Sequence, residues 1–240
     1  MGESSFVIGI PIYANANLLD VTGPYQVFKT PIWSPSVKLV AASNAPVRTV
    51  EGASLVPDTT FEACPPLDLL FVPGGPGQCD MMTDDAYIGF LARQGRSAKC
   101  AASVGVGALL LAAAGLLDGC KATTHWAAIA ALQLFPEIEV VPGCPRFVVD
   151  RKGDSLRVTG GGVSAGIDEA LEIVSIFAGD ENAKSVQLLL QYAPKPPFED
   201  GDPTSASPQV YDTVWRATRP LERKRIEQIQ HMLGHQPRPL

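Results

Sequence analysis

Residues 99–117 read KCAASVGVGALLLAAAGLL, a short apolar segment that passes through Gly105 and Gly107 into an Ala/Leu block. KCAASV (99–104) has the length and content of a buried strand, and the block after Gly107 has those of a helix. A strand turning sharply into a helix exposes one residue at the carboxyl edge of a sheet, which is where open α/β folds bind ligands. The helix start also offers free N–H groups. In a nucleophile elbow the neighbours must be small so that the exposed residue can stand proud, and Gly107 and Ala108 meet that need. Position 105 itself carries no nucleophile, acid or base. A phosphate loop of GxGxxG type would need a third glycine where Leu110 stands, and there is no Walker lysine. A plain tight turn is the remaining reading of this stretch by itself.

Working outward, apolar runs alternate with helical spacing. FVIGIPIYA (6–14), VKLVAAS (37–43), LDLLFVPGG (67–75) and KCAASV read as strands, whereas LDVTGPYQVFK (19–29) and DDAYIGFLARQGR (84–96) read as helical. Near-continuous apolar strands separated by helices predict an α/β fold whose mostly parallel sheet is covered on both faces. RFVVD–RKGD–SLRVTGG predicts a hairpin. SAGIDEALEIVSIFAG (164–179) predicts a helix with a Ser cap region and a Gly after its end, and DENAKSVQLLLQYA (180–193) a second helix. PKPPFEDGDPTSASP (194–208) is a connector, and the tail beyond it has helical spacing broken at Pro220. The chain therefore divides into an α/β domain over 1–193 and an arm with a C-terminal helix over 194–240. That helix is expected to pack on the domain or on a partner subunit.

The 240 residues carry a net charge of −6 with 46% hydrophobic residues. Such a chain can bury a sizeable core, and its acidity argues against nucleic acid or anionic membranes as partners. The N-terminus lacks the basic region of a signal peptide, and Met1-Gly2 with Ser5 only loosely resembles a myristoylation signal, so a cytoplasmic location is expected. Five cysteines, Cys64, Cys79, Cys100, Cys120 and Cys144, form no CxxC pair, and only three histidines are present. Reduced thiols and no metal are expected.

Three further places carry candidate chemistry. Asp20 follows an apolar pair at the first crossover; partly desolvated, it would suit proton transfer. Taken alone, the pattern favours an N-cap for the helix that follows. In FVPGGPG (71–77), consecutive glycines let backbone N–H groups converge on an oxygen. In ATTHWA (122–127), His125 is a proton carrier, a pocket wall or a structural histidine beside Trp126. His231 and His235 read as surface residues.

LDVTGP, CPPLDLLFVPGGPG, SVGVGALLLAAAGLL, ATTHW, VTGGGVSAGID and VQLLLQYAPKPPF, in this order between about residues 6 and 215, resemble the ThiJ/PfpI superfamily, specifically its isonitrile (isocyanide) hydratase branch. The resemblance implies a flavodoxin-like sandwich of class-I glutamine amidotransferase type, a homodimer, a small-molecule substrate and no metal or organic cofactor. It implies a reactive cysteine at the elbow, which falls on Gly105, and an acidic partner, which falls on Asp20. The implied substrate-binding amides fall on Val106 and Gly75, and the pocket histidine on His125. The implied reaction is attack of a thiolate on the terminal carbon of R–N≡C, protonation by the acid, and hydrolysis of the thioimidate to an N-substituted formamide.

Gly105 has no sulfur, and no other cysteine replaces it. Cys100 lies five residues earlier, roughly 16 Å along the strand; Cys120 is past the elbow helix; Cys64, Cys79 and Cys144 read as loop or edge residues, with Cys79 able to approach the pocket mouth. Three readings follow: an inactivated variant of a hydratase; a diverged, cysteine-less enzyme using Asp20 for acid/base chemistry, such as a hydration, cyclisation or lyase step; or a non-catalytic small-molecule binding or regulatory protein.

Overall fold

The structure is a computed structural model that describes residues 6–234. The expectations placed on Met1-Gly2, Ser5 and His235 lie outside the described residues. Seven strands form the central sheet: β1 (Val7–Pro11), β2 (Ser36–Ala41), β3 (Thr59–Thr60), β4 (Leu69–Val72), β5 (Cys100–Ser103), β6 (Phe147–Lys152) and β7 (Ser155–Gly160). Their order is β6-β7-β5-β4-β1-β2-β3. All neighbours are parallel except β6 and β7, the predicted hairpin, in which Val149 faces Val158. Two short ribbons lie outside this sheet, Val47–Arg48 with Ser54–Leu55 and Lys121–Ala122 with Glu139–Val140.

The apolar strands are continuous because both faces are covered. In β4, Leu70 and Val72 join one core while Leu69 and Phe71 join the other. The first core packs under α3 (Asp85–Ser97), α4 (Gly107–Ala113), α5 (Ile129–Leu132) and α8 (Pro208–Met232). The second packs under α1 (Leu18–Phe28), α6 (Ala165–Ala178) and α7 (Asp180–Leu189). This is the flavodoxin-like α/β sandwich that the sequence leads one to expect. Strand order reverses between β1 and β4, so the crevice where such sheets take ligands lies beside the loops after these two strands. A one-turn helix, α2 (Gln78–Met81), follows β4 there.

Three local expectations are corrected. Asp20 does not cap α1: Asn17 holds the cap position, and Asp20 is inside the first turn and buried. Ser164 stands before α6 without capping it; its Oγ instead accepts a hydrogen bond from Arg146 Nη1 at 3.1 Å. Gly179 does close α6, at φ +91. Pro220 does not break the tail. Helix α8 runs through it, giving up one backbone bond. Buried Glu222, Arg225 and Ile229 on the following turns, and the Trp126–Tyr211 and Trp126–Trp215 ring contacts at 5.1 and 6.1 Å before it, hold both halves to the domain.

Candidate active site

The elbow is built as the sequence predicts. After β5 the chain leaves the sheet at Val104, and Gly105 adopts φ +56, a left-handed conformation. Its N–H donates to the Gly160 carbonyl at 3.1 Å, and its own carbonyl accepts the Thr124 hydroxyl at 2.8 Å. A Cβ on Gly105 would meet only Asp20 Oδ2 at 3.5 Å and the Gly161 carbonyl at 3.6 Å, which are ordinary contacts. A side chain therefore fits there. Gly107 is different in kind: a Cβ would lie 2.3 Å from the Val72 carbonyl oxygen, so glycine is what lets α4 start against β4.

Asp20 reaches the elbow from α1. Its Oδ2 accepts the Gly74 N–H at 2.9 Å, while Oδ1 is buried and has no hydrogen-bond partner. Burial raises its pKa from 3.8 to about 7; the Gly74 N–H and the nearby Asn17 side chain oppose that rise. A Cβ on Gly74 would lie 2.8 Å from Asp20 Oδ2 and 2.9 Å from the Val106 nitrogen, so the missing side chain is what lets acid and amide converge. Gly75, at φ +130, fits against the backbone of Asn15–Asn17. The N–H groups of Gly75 and Val106 donate to no other group among the described residues.

These groups share one cavity of about 180 Å³, lined by Asn17, Asp20, Gly75, Gly105, Val106 and His125 among others. His125 Nδ1 accepts the Ala127 N–H at 3.3 Å, which leaves Nε2 to carry the ring proton. Burial, with the Arg225 charge adding to it, lowers its pKa to about 4, so the ring is neutral near pH 7. It is a neutral hydrogen-bonding wall that also holds the backbone of the turn after it.

Thr218, Leu221, Glu222 and Arg225 of α8 also line the cavity, a contribution sequence reasoning missed. The helical spacing of the tail was legible, but nothing in it says which sheet edge the helix reaches. A larger hollow of about 320 Å³ shares His125 and Val163 with the elbow cavity. Another, of about 410 Å³, lies beside β1 and β2 and includes none of the elbow groups. Convergent polar groups, and not size, mark the elbow cavity as the candidate site.

The thiols are elsewhere. Cys79 sits on α2, fully buried, and does not line the elbow cavity, so the approach to its mouth is not made. Burial also pushes the buried Cys100 thiol far up, and Cys144 lines the 320 Å³ hollow. Among the described residues no group of three His, Cys, Asp or Glu could hold a metal ion, and no helix is long and apolar enough to cross a membrane.

Comparisons with known proteins give the family of this fold. The isonitrile hydratase of Pseudomonas putida is 40% identical over 220 residues, covering 92% of this chain and 93% of that protein. The crystal structure of a ThiJ/PfpI family protein from Pseudomonas syringae superposes with a TM-score of 0.86 at 33% identity, covering 94% of this chain and 91% of that one. Oxidized DJ-1 of Toxoplasma gondii shares the fold at a TM-score of 0.68 and 21% identity, over 79% of this chain and all of that one. Residues 8–175 match the DJ-1/PfpI family, and it is to this family that the chain belongs.

Proposed function

We propose that the chain is a thiol-free hydratase that takes an isonitrile-like small molecule between Asp20 and Gly105 and hydrates it by acid catalysis. The observation that carries this reading is Asp20: a buried carboxyl whose Oδ2 lies 3.5 Å from where the elbow side chain would begin, whose Oδ1 has no partner, and whose pKa burial pushes up to about 7. Its relation to the P. putida hydratase supports the substrate class.

For R–N≡C, the Asp20 carboxyl gives its proton to the terminal carbon, making a nitrilium ion. Water adds its oxygen to that carbon and returns a proton to the Asp20 carboxylate. The imidic acid then tautomerises to R–NH–CHO, so the sum is R–N≡C plus H₂O. In this scheme the Gly75 and Val106 N–H groups, which line the cavity without partners, and His125 Nε2–H hold the water oxygen and later the product oxygen. Asp20 supplies the proton, so the scheme calls for no metal or organic cofactor. We extend the proposal to a cytoplasmic homodimer as the working unit.

A second reading is an inactivated hydratase that binds without turnover, favoured by the lack of any thiol lining the elbow cavity. Formamide formation by the chain, by Asp20→Asn and by Gly105→Cys separates the two. Turnover that Asp20→Asn abolishes supports the first; turnover by Gly105→Cys alone supports the second.

A further inference from the structure

Helix α8 places two charged side chains in the elbow cavity that the hydration scheme does not use. Glu222 and Arg225 line it, and only 3% and 6% of their surfaces are exposed. They form an ion pair one turn apart, through Arg225 Nη1 and Glu222 Oε1. Arg225 Nε donates to Gln78 Oε1 at 3.0 Å, and Gln228 Nε2 donates to the Cys79 carbonyl at 2.6 Å. These bonds fasten α8 to α2.

Fastening leaves polar atoms over, Gln228 Oε1 among them. Arg225 Nη2 donates to no group among the described residues, and Glu222 Oε2 is buried without a partner. A helix anchor alone has no need of them, because an apolar pair of similar volume anchors as well and leaves no polar atom unmet. A donor and an acceptor on one wall of the cavity match a planar group that offers a carbonyl oxygen and an N–H together.

We propose that Glu222 and Arg225 form a recognition site for an amide head on the substituent of the substrate. The proposal rests on reading the elbow cavity as the substrate site. Arg225 Nη2 donates to the amide oxygen, and Glu222 Oε2 accepts the amide N–H. An alkyl substituent of the same shape leaves both atoms unpaired, which is how a hydrogen-bonding site rejects an apolar analogue.

The test compares isocyanoacetamide with isobutyl isocyanide, which have the same branching and nearly the same size. Calorimetric binding to the unmodified chain is expected to favour the amide by about 10-fold or more. In the double variant Glu222→Met with Arg225→Met, which leaves no buried charge unpaired, the preference is expected to fall to near unity. Equal affinity for the two compounds in the unmodified chain overturns the proposal, as does binding of neither, and neither result depends on a variant folding. A preference for the amide without formamide production sustains this site and sinks the hydration reading. Hydration of both compounds without an amide preference does the reverse.

Discussion

Asp20 Oδ2 is the nearest atom to the point where a side chain on Gly105 would begin, 3.5 Å away. The acid is thus aimed at the elbow whatever residue stands there. It is placed by α1 and the Gly74 N–H, not by any partner at position 105. The elbow also keeps its left-handed turn through the Gly105 N–H to the Gly160 carbonyl and the Thr124 hydroxyl to the Gly105 carbonyl. Frame and acid are therefore independent of the thiol that the family resemblance implies.

Gly105→Cys is expected to fold and to add a faster covalent route. The new side chain meets only ordinary contacts, and a non-glycine residue at φ +56 costs about 1–2 kcal/mol. Formamide formation from an alkyl isonitrile is expected to rise by more than ~10-fold, with a covalent adduct detectable by mass spectrometry. Unchanged turnover and no adduct would show that the elbow is not the reacting position.

The acid form of Asp20 is the active one in the proposed scheme, so kcat/KM is expected to fall as pH rises through about 7. Asp20→Asn keeps an acceptor for the Gly74 N–H but cannot give a proton, and should cost about 10²–10⁴ in rate. Asp20's contribution to stability also falls with rising pH. The folded pKa lies above the ordinary 3.8, so Asp20's contribution is whole below that value and is lost as pH rises to about 7. The rise from 3.8 to about 7 corresponds to roughly 4 kcal/mol. Asp20→Asn should therefore be the more stable protein at pH 8, and chemical denaturation at pH 5 and pH 8 measures the difference.

Much of this was legible in the residues themselves. Strands buried on both faces announce themselves as unbroken apolar runs, as in LLFV and CAAS. The glycines at 74, 75 and 107 mark close approaches that only the fold can name, whereas Gly105 marks a left-handed turn with room for a side chain. Asp20 read as a cap because an acid near a helix start looks the same whether it faces the N–H groups or the sheet edge. Pro220 read as a break because local rules carry no term for what α8 buries on either side. Glu222 and Arg225 were missed although they share a turn with Leu221 and Ile226, since spacing alone does not say which cavity such a turn closes. Glu169 had a signal that went unread: in AGIDEALEIV it falls on the same stripe as Ala165, Ala170 and Ile173, all buried.

Glycine substitutions separate close approach from mere turn. Gly107→Ala would push a Cβ to 2.3 Å from the Val72 carbonyl and 3.0 Å from the Pro73 carbonyl, both backbone, and should cost about 1–3 kcal/mol. Gly89, exposed within α3 with nothing within 4 Å of its Cβ position, should gain about 0.5–1 kcal/mol on becoming alanine. Melting temperatures of the two variants moving in the same direction would contradict this account.

Glu169 offers a last test, in the core beneath the elbow. It is fully buried on α6, neither carboxyl oxygen makes a well-formed hydrogen bond, and burial, with the Asp20 charge adding to it and the nearby Ser103 N–H opposing it, pushes its pKa up. The protonated form is therefore favoured in the fold, and its contribution to stability is whole below its unfolded pKa and declines as pH rises above it. Glu169→Gln matches the protonated shape without titrating, so its advantage over the unmodified chain should grow between pH 5 and pH 8.5. Glu169→Met removes the unmet polar atoms altogether and should stabilise by about 1–3 kcal/mol at the higher pH. Gly160 supplies the control, because a Cβ there would lie 2.3 Å from Glu169 Oε2. Gly160→Ala should be destabilising alone and much less so beside Glu169→Ala, a non-additivity that a double-mutant cycle reads directly. Additive effects, or a Glu169→Gln advantage that stays flat with pH, would show that this carboxyl reaches water and carries its charge.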